Sequence, residues 1–185
     1  MKQVPYDRIR EILTYNPNNG TFIWNVRNEA RQEWNTRYAG KAAGSFHNGY
    51  LIICIDNTRF PAHRIAWVYM TGINPPNVID HIDRNPKNNR FSNLRLASVA
   101  ENRRNVSSYS NSKSGIKGVS YCKTNRKWRT EIQANYKKTC LGWFESKELA
   151  EEAYKNASLK IHGQFSPFLA ANAAARRETK TGGHP

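Results

Sequence analysis

The stretch VIDHID, residues 78–83, decides how the rest of this chain is interpreted. Two apolar residues lead directly into the polar pair Asp80 and His81, a pattern typical of the end of a short buried strand. A loop rich in Asn, Pro, Lys and Arg follows at 84–92, and the sequence NLRL at 93–96 returns as a second short apolar segment. The pattern predicts two antiparallel strands joined by a polar loop.

A helix is predicted immediately after the second strand. Ser98 and Glu101 have the spacing of a capping box, in which the hydroxyl and the carboxylate satisfy free amides at the start of a helix. Asn102 then falls in the first turn of that helix. The segment therefore has the order strand, loop, strand, helix, which is a ββα unit.

Four side chains of this unit can support metal-dependent chemistry. Asp80 offers a carboxylate oxygen and Asn102 an amide oxygen, which suit Mg²⁺ or another hard cation that keeps several waters. In an extended strand Asp80 and His81 point to opposite sides, so a base can stand beside a metal ligand without competing for the ion. Asn93 can either fix the loop or accept the ring N–H of His81.

These residues resemble the HNH nuclease motif, in the variant whose third motif position is Asn. Their spacing is similar to that of phage and intron-encoded HNH homing endonucleases, and HRIAW at 63–67 is similar to the usual lead-in. The resemblance implies a one-metal ββα nuclease, in which Asp80 and Asn102 hold the metal, His81 activates the attacking water and Asn93 orients His81. Because Asn rather than His stands at the third position, Mg²⁺ or Mn²⁺ is favoured over Zn²⁺.

A short helix is predicted just before this motif. Residues 63–70 are mostly apolar, Gly72 suits the residue that ends a helix, and two prolines follow it. We expect His63, at the start of the helix, to be a structural hydrogen-bonding group, although spacing alone does not fix its role. The nuclease unit is predicted to span residues 61–106.

Residues 1–60 predict a small mixed β platform packed on the nuclease unit. A short helix is expected at 5–14, and strands are expected at 21–24 and 50–55. The stretch 28–38 contains Arg31, Trp34 and Arg37 and can also touch DNA. Four aromatic residues are expected in the platform core rather than stacked on bases: Phe22, Trp24, Trp34 and Phe46.

A second domain is predicted at residues 116–168, after a Ser- and Asn-rich linker at 107–115. Its strands alternate between apolar and polar residues, most clearly at 128–133, and Ser146 is placed to cap a helix. We expect the helix to cover one face of a three-stranded sheet with a stripe made of Leu149, Ala150, Ala153, Tyr154, Ala157 and Ile161. Residues 169–185 are predicted to be disordered.

The second domain resembles an AP2 DNA-binding domain, in which a three-stranded sheet lies in the major groove. The resemblance rests on Gly118, the strand at 128–133, LGWF at 141–144 and the Ala-rich helix. It implies these residues as the groove-facing readers: Tyr121, Lys123, Arg129, Glu131, Gln133 and Lys138. Tyr121 and Lys123 stand where the family commonly has arginines, so its sequence preference does not transfer.

The charge of the chain also indicates a polyanionic partner. The formal net charge is +15, and the basic excess is spread along the whole chain rather than confined to one tail. The three cysteines are far apart and form no C-x-x-C pair, which argues against a structural zinc site and a disulfide scaffold. The sequence shows no signal peptide or apolar span, so we expect a cytoplasmic protein. The resemblance to phage homing endonucleases implies that the host is a phage-infected bacterium.

The sequence therefore predicts an α+β protein: a small mixed platform, a ββα-metal nuclease unit, and a three-stranded antiparallel sheet with one helix. The expected function is site-directed cleavage of double-stranded DNA with Mg²⁺ or Mn²⁺, by a monomer or weak dimer, with no membrane and no small-molecule substrate. Residues expected to position phosphates are Arg84, Lys87, Arg103 and Arg104. Two alternatives stay open: a non-catalytic DNA-binding regulator that keeps the nuclease fold, and a nuclease acting on RNA or branched DNA.

Overall fold

A computed structural model describes residues 2–106, 112–134 and 136–169 of this chain. The chain divides into two compact units, Met1–Val99 and Ala100–Pro185. The predicted linker lies partly outside the described residues, and so does nearly all of the predicted tail. No helix in the described ranges is long and apolar enough to cross a membrane.

The first unit contains three small antiparallel sheets, three α-helices and one short 3₁₀ helix within its described residues. Strand β1 pairs with β2, β4 lies between β3 and β5, and β6 pairs with β7. The elements are α1 (Tyr6–Ile12), β1 (Leu13–Asn16), β2 (Thr21–Trp24), α2 (Gln32–Tyr38), β3 (Ser45–His47), β4 (Tyr50–Ile55), β5 (Thr58–Pro61), α3 (Ala62–Thr71), β6 (Val78–His81) and β7 (Leu94–Ala97).

One hydrophobic core joins the N-terminal elements to the ββα strands. It begins at Val4 and includes Ile53 of β4, Ile65 of α3, Ile79 of β6 and Leu94 of β7. Gly72 ends α3 in the left-handed conformation, as its position in the sequence predicts. The strands that carry the candidate chemistry are therefore held in place by residues far outside their own hairpin.

The N-terminal predictions are confirmed in part. Phe22 and Trp24 are buried and Trp34 packs against the core, as expected. The prediction for Phe46 is wrong, because 59% of this residue is exposed. Phe46 lies in β3, an edge strand whose residues are all exposed, so its ring extends away from the core.

Helix boundaries in the first unit also differ from the prediction. The helix expected at 5–14 ends at Ile12, since the next residues form β1. The polar stretch that ends near Tyr38, to which the sequence pattern assigns no helix or strand, contains α2, a helix with no buried residue and so without the apolar stripe that would have predicted it.

The second unit is a three-stranded sheet covered by one helix. Its elements are α4 (Val99–Arg104), which begins at the boundary between the units, β8 (Val119–Cys122), β9 (Lys127–Ala134), β10 (Lys137–Phe144) and α5 (Lys147–His162). The strands are antiparallel in the order β10-β9-β8, and α5 packs Ala150 and Tyr154 against Val119 and Ile132. The sheet-and-helix prediction is confirmed.

The buried stripe of α5 differs from the predicted one. Ser146 caps the helix by accepting a hydrogen bond from the Leu149 amide at 3.2 Å, as predicted. The buried residues of the helix are Ala150, Tyr154, Ser158 and His162. Leu149 and Ile161 are instead exposed, because the contact with the sheet follows the stripe that runs through Ala150 at intervals of four residues.

Candidate active site and nucleic-acid surface

Pairing of β6 with β7 places Asp80 opposite Arg95 and His81 opposite Leu94. Asp80 is only 4% exposed, so its carboxylate is held in a largely water-free environment. Arg95 donates from Nε to Asp80 Oδ2 at 2.8 Å and from Nη2 to the same oxygen. This charged pair fixes the direction of the carboxylate, which sequence analysis did not foresee because it requires the strand register.

The Asn93 side chain fixes the loop between the two strands. Its Oδ1 accepts from the Asp83 amide at 3.0 Å, and its Nδ2 donates to Asp83 Oδ1 and to the Asn88 carbonyl, each at 2.9 Å. Asn88 Nδ2 also donates to Asp83 Oδ2 at 2.6 Å. Of the two roles considered for Asn93, these contacts correspond to fixing the loop.

In this loop the buried amide of Asn89 contacts the His81 ring. Its Oδ1 lies 3.4 Å from His81 Nε2. An amide oxygen can only accept, so this contact favours the tautomer with the proton on Nε2. Three asparagines occur at 85–89, and nothing in the sequence distinguishes Asn89 from the others.

His81 belongs to a cluster of rings that comes from three different elements. The His63 ring lies 5.1 Å from the His81 ring and perpendicular to it, and the Tyr50 ring lies 6.3 Å away. Burial lowers the pKa of His81 despite its contact with Asn89. Burial, helped by His81 and Arg64, lowers the pKa of His63 to about 3. Both histidines are therefore uncharged at neutral pH.

The hairpin of β1 and β2 contacts the loop that joins β6 to β7. The Tyr15 hydroxyl donates to the Asn89 carbonyl at 2.7 Å, and the Phe91 amide donates to the Pro17 carbonyl at 3.1 Å. Gly20 has a φ of +77°, and a Cβ there would lie 2.5 Å from the backbone of Asn89 and Arg90. Only glycine allows this close approach, so the turn of the hairpin sets the position of the loop.

Arg64 is a second functional candidate that sequence analysis missed. It is only 8% exposed, and its side chain forms no hydrogen bond or ion pair with any described residue. None of its nitrogens is both fully buried and without a hydrogen-bond partner, so the guanidinium keeps access to solvent. Burial lowers its pKa because a charged group is less stable away from water. A bound anion would reduce this free-energy cost. The position next to His63 in the lead-in sequence was the available signal.

The oxygen donors named by the motif fit a hard cation. Asp80 supplies a buried carboxylate, and Asn102 lies in α4 with an amide oxygen. Within the described ranges no group of three or more His, Cys, Asp or Glu residues is arranged to hold a metal ion. Asp80 belongs to the first unit and Asn102 to the second, and oxygen donors of both types suit Mg²⁺, which commonly takes its other ligands from water and phosphate.

The basic residues expected to position phosphates fall in both units. Arg84, with φ of +64°, and Lys87 are exposed in the loop of the first unit. Arg103 and Arg104 follow Asn102 in α4, in the second unit. Lys117 Nζ caps the end of α4 by donating to the Arg103 carbonyl at 2.7 Å and to the Arg104 carbonyl at 3.2 Å.

The register of the β8–β10 sheet sorts the predicted readers onto its faces. Arg129, Glu131 and Gln133 share the face away from the buried Thr130 and Ile132, and Lys138 pairs with Gln133 on that face. Lys123 lies in the exposed turn after β8. Tyr121 pairs with Trp128, so it lies on the other face, at its edge. Trp143, opposite Arg129, stands on the predicted reading face instead and was not foreseen.

Comparison with known proteins is consistent with this geometry. The family model for HNH endonuclease matches residues 60–104, which include the β6–β7 hairpin and α4. The chain belongs to the HNH endonuclease family. It is also similar to Protein 3.8 of Escherichia phage T7, with 39% identity over 93 residues, which cover 49% of this chain and 74% of that protein. No solved structure gives a significant match.

Proposed function

We propose that this chain is a metal-dependent DNA endonuclease that hydrolyses one phosphodiester and leaves 5′-phosphate and 3′-hydroxyl ends. The observation that carries the proposal is the state of His81: a buried, uncharged imidazole beside Asp80, in a loop fixed by Asn93 and Asn89. An uncharged imidazole at neutral pH is the form that can accept a proton from water.

In the proposed mechanism His81 takes a proton from the water that attacks the phosphorus. Asn89 holds the ring and Asn93 holds the loop, so the base does not have to be ordered during the reaction. Arg64 contributes a buried positive charge that an incoming phosphate oxygen can bind. Mg²⁺ or Mn²⁺, held by Asp80 and Asn102, would stabilise charge on the leaving 3′ oxygen.

We further propose that the second unit is an AP2-like reader that directs a homing-type enzyme to its site. Support comes from its three-stranded antiparallel sheet, one face of which is covered by α5 while the other carries Arg129, Gln133 and Lys138. A sheet of this size with basic side chains suits the major groove of B-DNA better than the deep groove of RNA. One active site per chain predicts nicking by a monomer.

The test compares wild type and His81→Ala on supercoiled plasmid with Mg²⁺ or with EDTA. We expect wild type to form open circles only with metal, and His81→Ala to be slower by about a thousandfold. Equal duplex binding by the two proteins, measured in EDTA, is the control for folding. If neither protein cuts while both bind duplex DNA equally, the chain is a DNA-binding regulator and the catalytic proposal fails.

A further inference from the structure

The hairpin of β3 and β4 ends in a tight turn beside the candidate active site. Asn48 and Gly49 form the turn with φ values of 48° and 84°, and His47 pairs with Tyr50 across it. Two consecutive residues with positive φ are characteristic of a type I′ turn, whose twist matches that of the strands. The hairpin tip, defined as residues 46–50, therefore has one preferred conformation.

The hairpin tip contacts both the loop and the histidine cluster. The Tyr50 ring lies 5.7 Å from the His63 ring and 6.3 Å from the His81 ring. Lys87 of the loop places its Nζ 5.5 Å from the centre of the Phe46 ring. A surface that includes Phe46 and Lys87 is thus continuous with the candidate base.

The aromatic residues of the tip are unusually exposed for their size. Phe46 is 59% exposed and Tyr50 is 43% exposed, and β3 is an edge strand. The Tyr50 hydroxyl forms no hydrogen bond with any described residue. Exposed rings next to a reactive group mark a surface that becomes covered when a partner binds.

The charges around the tip select the kind of partner. Arg84, Lys87 and Arg90 of the neighbouring loop are all exposed. The acidic group of that loop, Asp83, is occupied by hydrogen bonds from Asn88 and Asn93. Flat apolar rings combined with unpaired cations fit a strand that carries both bases and phosphates.

We propose that the hairpin tip holds the DNA nucleotides beside the scissile phosphate. Phe46 packs on a sugar or base, Lys87 binds the adjoining phosphate, and the Tyr50 hydroxyl donates to the phosphate nearest His81. This inference rests on the proposed nuclease function for the location of the scissile phosphate, but the contact itself requires only that DNA binds.

The first part of the test measures binding without cleavage. Full-length wild type, Phe46→Ala, Tyr50→Phe and the control Tyr6→Ala are titrated in EDTA into a fluorescein-labelled mixed-sequence duplex. Tyr6 is a comparably exposed aromatic residue on α1, away from the tip, and we expect its variant to bind as wild type does. Phe46→Ala should bind about tenfold more weakly, because the variant no longer buries an aromatic ring against a sugar or base of the DNA. Tyr50→Phe should bind about threefold more weakly, since it keeps the ring and loses one hydrogen bond.

The second part locates the contact directly. The same duplex carrying 5-iodouracil is irradiated with each protein, and cross-linked peptides are identified by mass spectrometry. Cross-links at Phe46 or Tyr50, together with the weaker binding of Phe46→Ala at unchanged melting temperature, support the proposal. Wild-type binding by Phe46→Ala with no cross-link to residues 46–50 overturns it. The proposal is also overturned if no cross-link forms at residues 46–50 and sedimentation shows that wild type self-associates while Phe46→Ala does not. The tip is then an interface between two copies of the chain.

The two proposals can fail separately. If wild type does not nick plasmid but Phe46 cross-links to DNA, the nuclease function fails and the binding surface stands. If wild type nicks with metal and neither tip variant changes binding, cross-linking or the KM for nicking, the nuclease function stands and the role of the tip is wrong.

Discussion

The loop around His81 and the exposed face of the β8–β10 sheet use their polar groups in opposite ways. In the loop, the Asn93 side chain forms three hydrogen bonds, two with Asp83 and one with Asn88, and the Asn88 side chain also donates to Asp83. On the sheet, Gln133 and Lys138 extend into solvent, and the Arg129–Glu131 pair at 3.0 Å is partly exposed.

The difference fits the two tasks proposed for these regions, catalysis for the loop and DNA binding for the sheet. Chemistry requires a base fixed to within a fraction of an ångström, so its supporting groups must be satisfied by the protein itself. Attraction to a phosphate backbone requires charge at the right distance, and long solvated side chains supply this without a fixed geometry. Substitutions in the loop should therefore change stability and rate, whereas those on the sheet should change affinity alone.

Arg95→Met gives the largest expected change in stability. It leaves the Asp80 carboxylate buried without its guanidinium partner, which should lower the free energy of unfolding by about 3 kcal/mol in EDTA. Addition of Mg²⁺ should restore part of the loss if Asp80 holds a cation. Urea unfolding with and without Mg²⁺ measures both effects, and Arg59→Met, at an exposed position of β5, is the matched control.

Asn93→Ala tests whether the loop network supports the base indirectly. The variant loses the bonds to Asp83 and Asn88, so we expect a loss of about 2 kcal/mol in stability and slower nicking with unchanged duplex binding. Thermal melting and plasmid nicking are compared with Asn18→Ala, an exposed asparagine in the N-terminal turn. A variant that melts like wild type contradicts the supporting role.

The histidine cluster predicts a loss of stability in acid. The unfolded chain binds a proton at His63 near pH 6.5, whereas in the folded chain burial holds its pKa at about 3. Stability is therefore fully present above pH 6.5 and falls by about 1.4 kcal/mol per pH unit below it, down to about pH 3. His63→Gln should flatten this slope in urea titrations between these pH values; a wild-type slope in the variant would assign the effect to other groups.

The smallest effect is expected on the sheet. Lys138→Ala removes one exposed charge with no partner among the described residues, so duplex binding should weaken by about threefold and its salt dependence should fall by about one counterion. Stability should not change. Lys160→Ala, an exposed lysine on α5, is the matched control, and equal losses for both variants would indicate general charge attraction rather than a reading face.

The sequence was sufficient to predict the ends of elements where its pattern changes abruptly from apolar to polar residues. The change from Val78–Ile79 to Asp80–His81 located the end of β6, and Ser98 located the start of α4. Strand alternation located β9, because its apolar residues face α5. These features depend only on neighbouring residues.

Features set by distant contacts could not be predicted in the same way. The pairing of Asp80 with Arg95 depends on register, and the approach of Tyr50 to His81 depends on the packing of β4. An aromatic residue such as Phe46 looks the same in sequence whether it lies in the core or on an edge strand. Similarly, α2 lacks the buried stripe that reveals a helix.

The close contact at Gly20 has a consequence for moving the HNH segment into another protein. The loop inside the segment that matches the family is supported by the backbone and side chains of residues 13–24. These residues lie well outside that segment. Transferring residues 60–104 alone to another protein would carry the motif but not the N-terminal hairpin that positions its loop. A transferred segment that keeps this support must begin no later than Val4, which belongs to the same hydrophobic core.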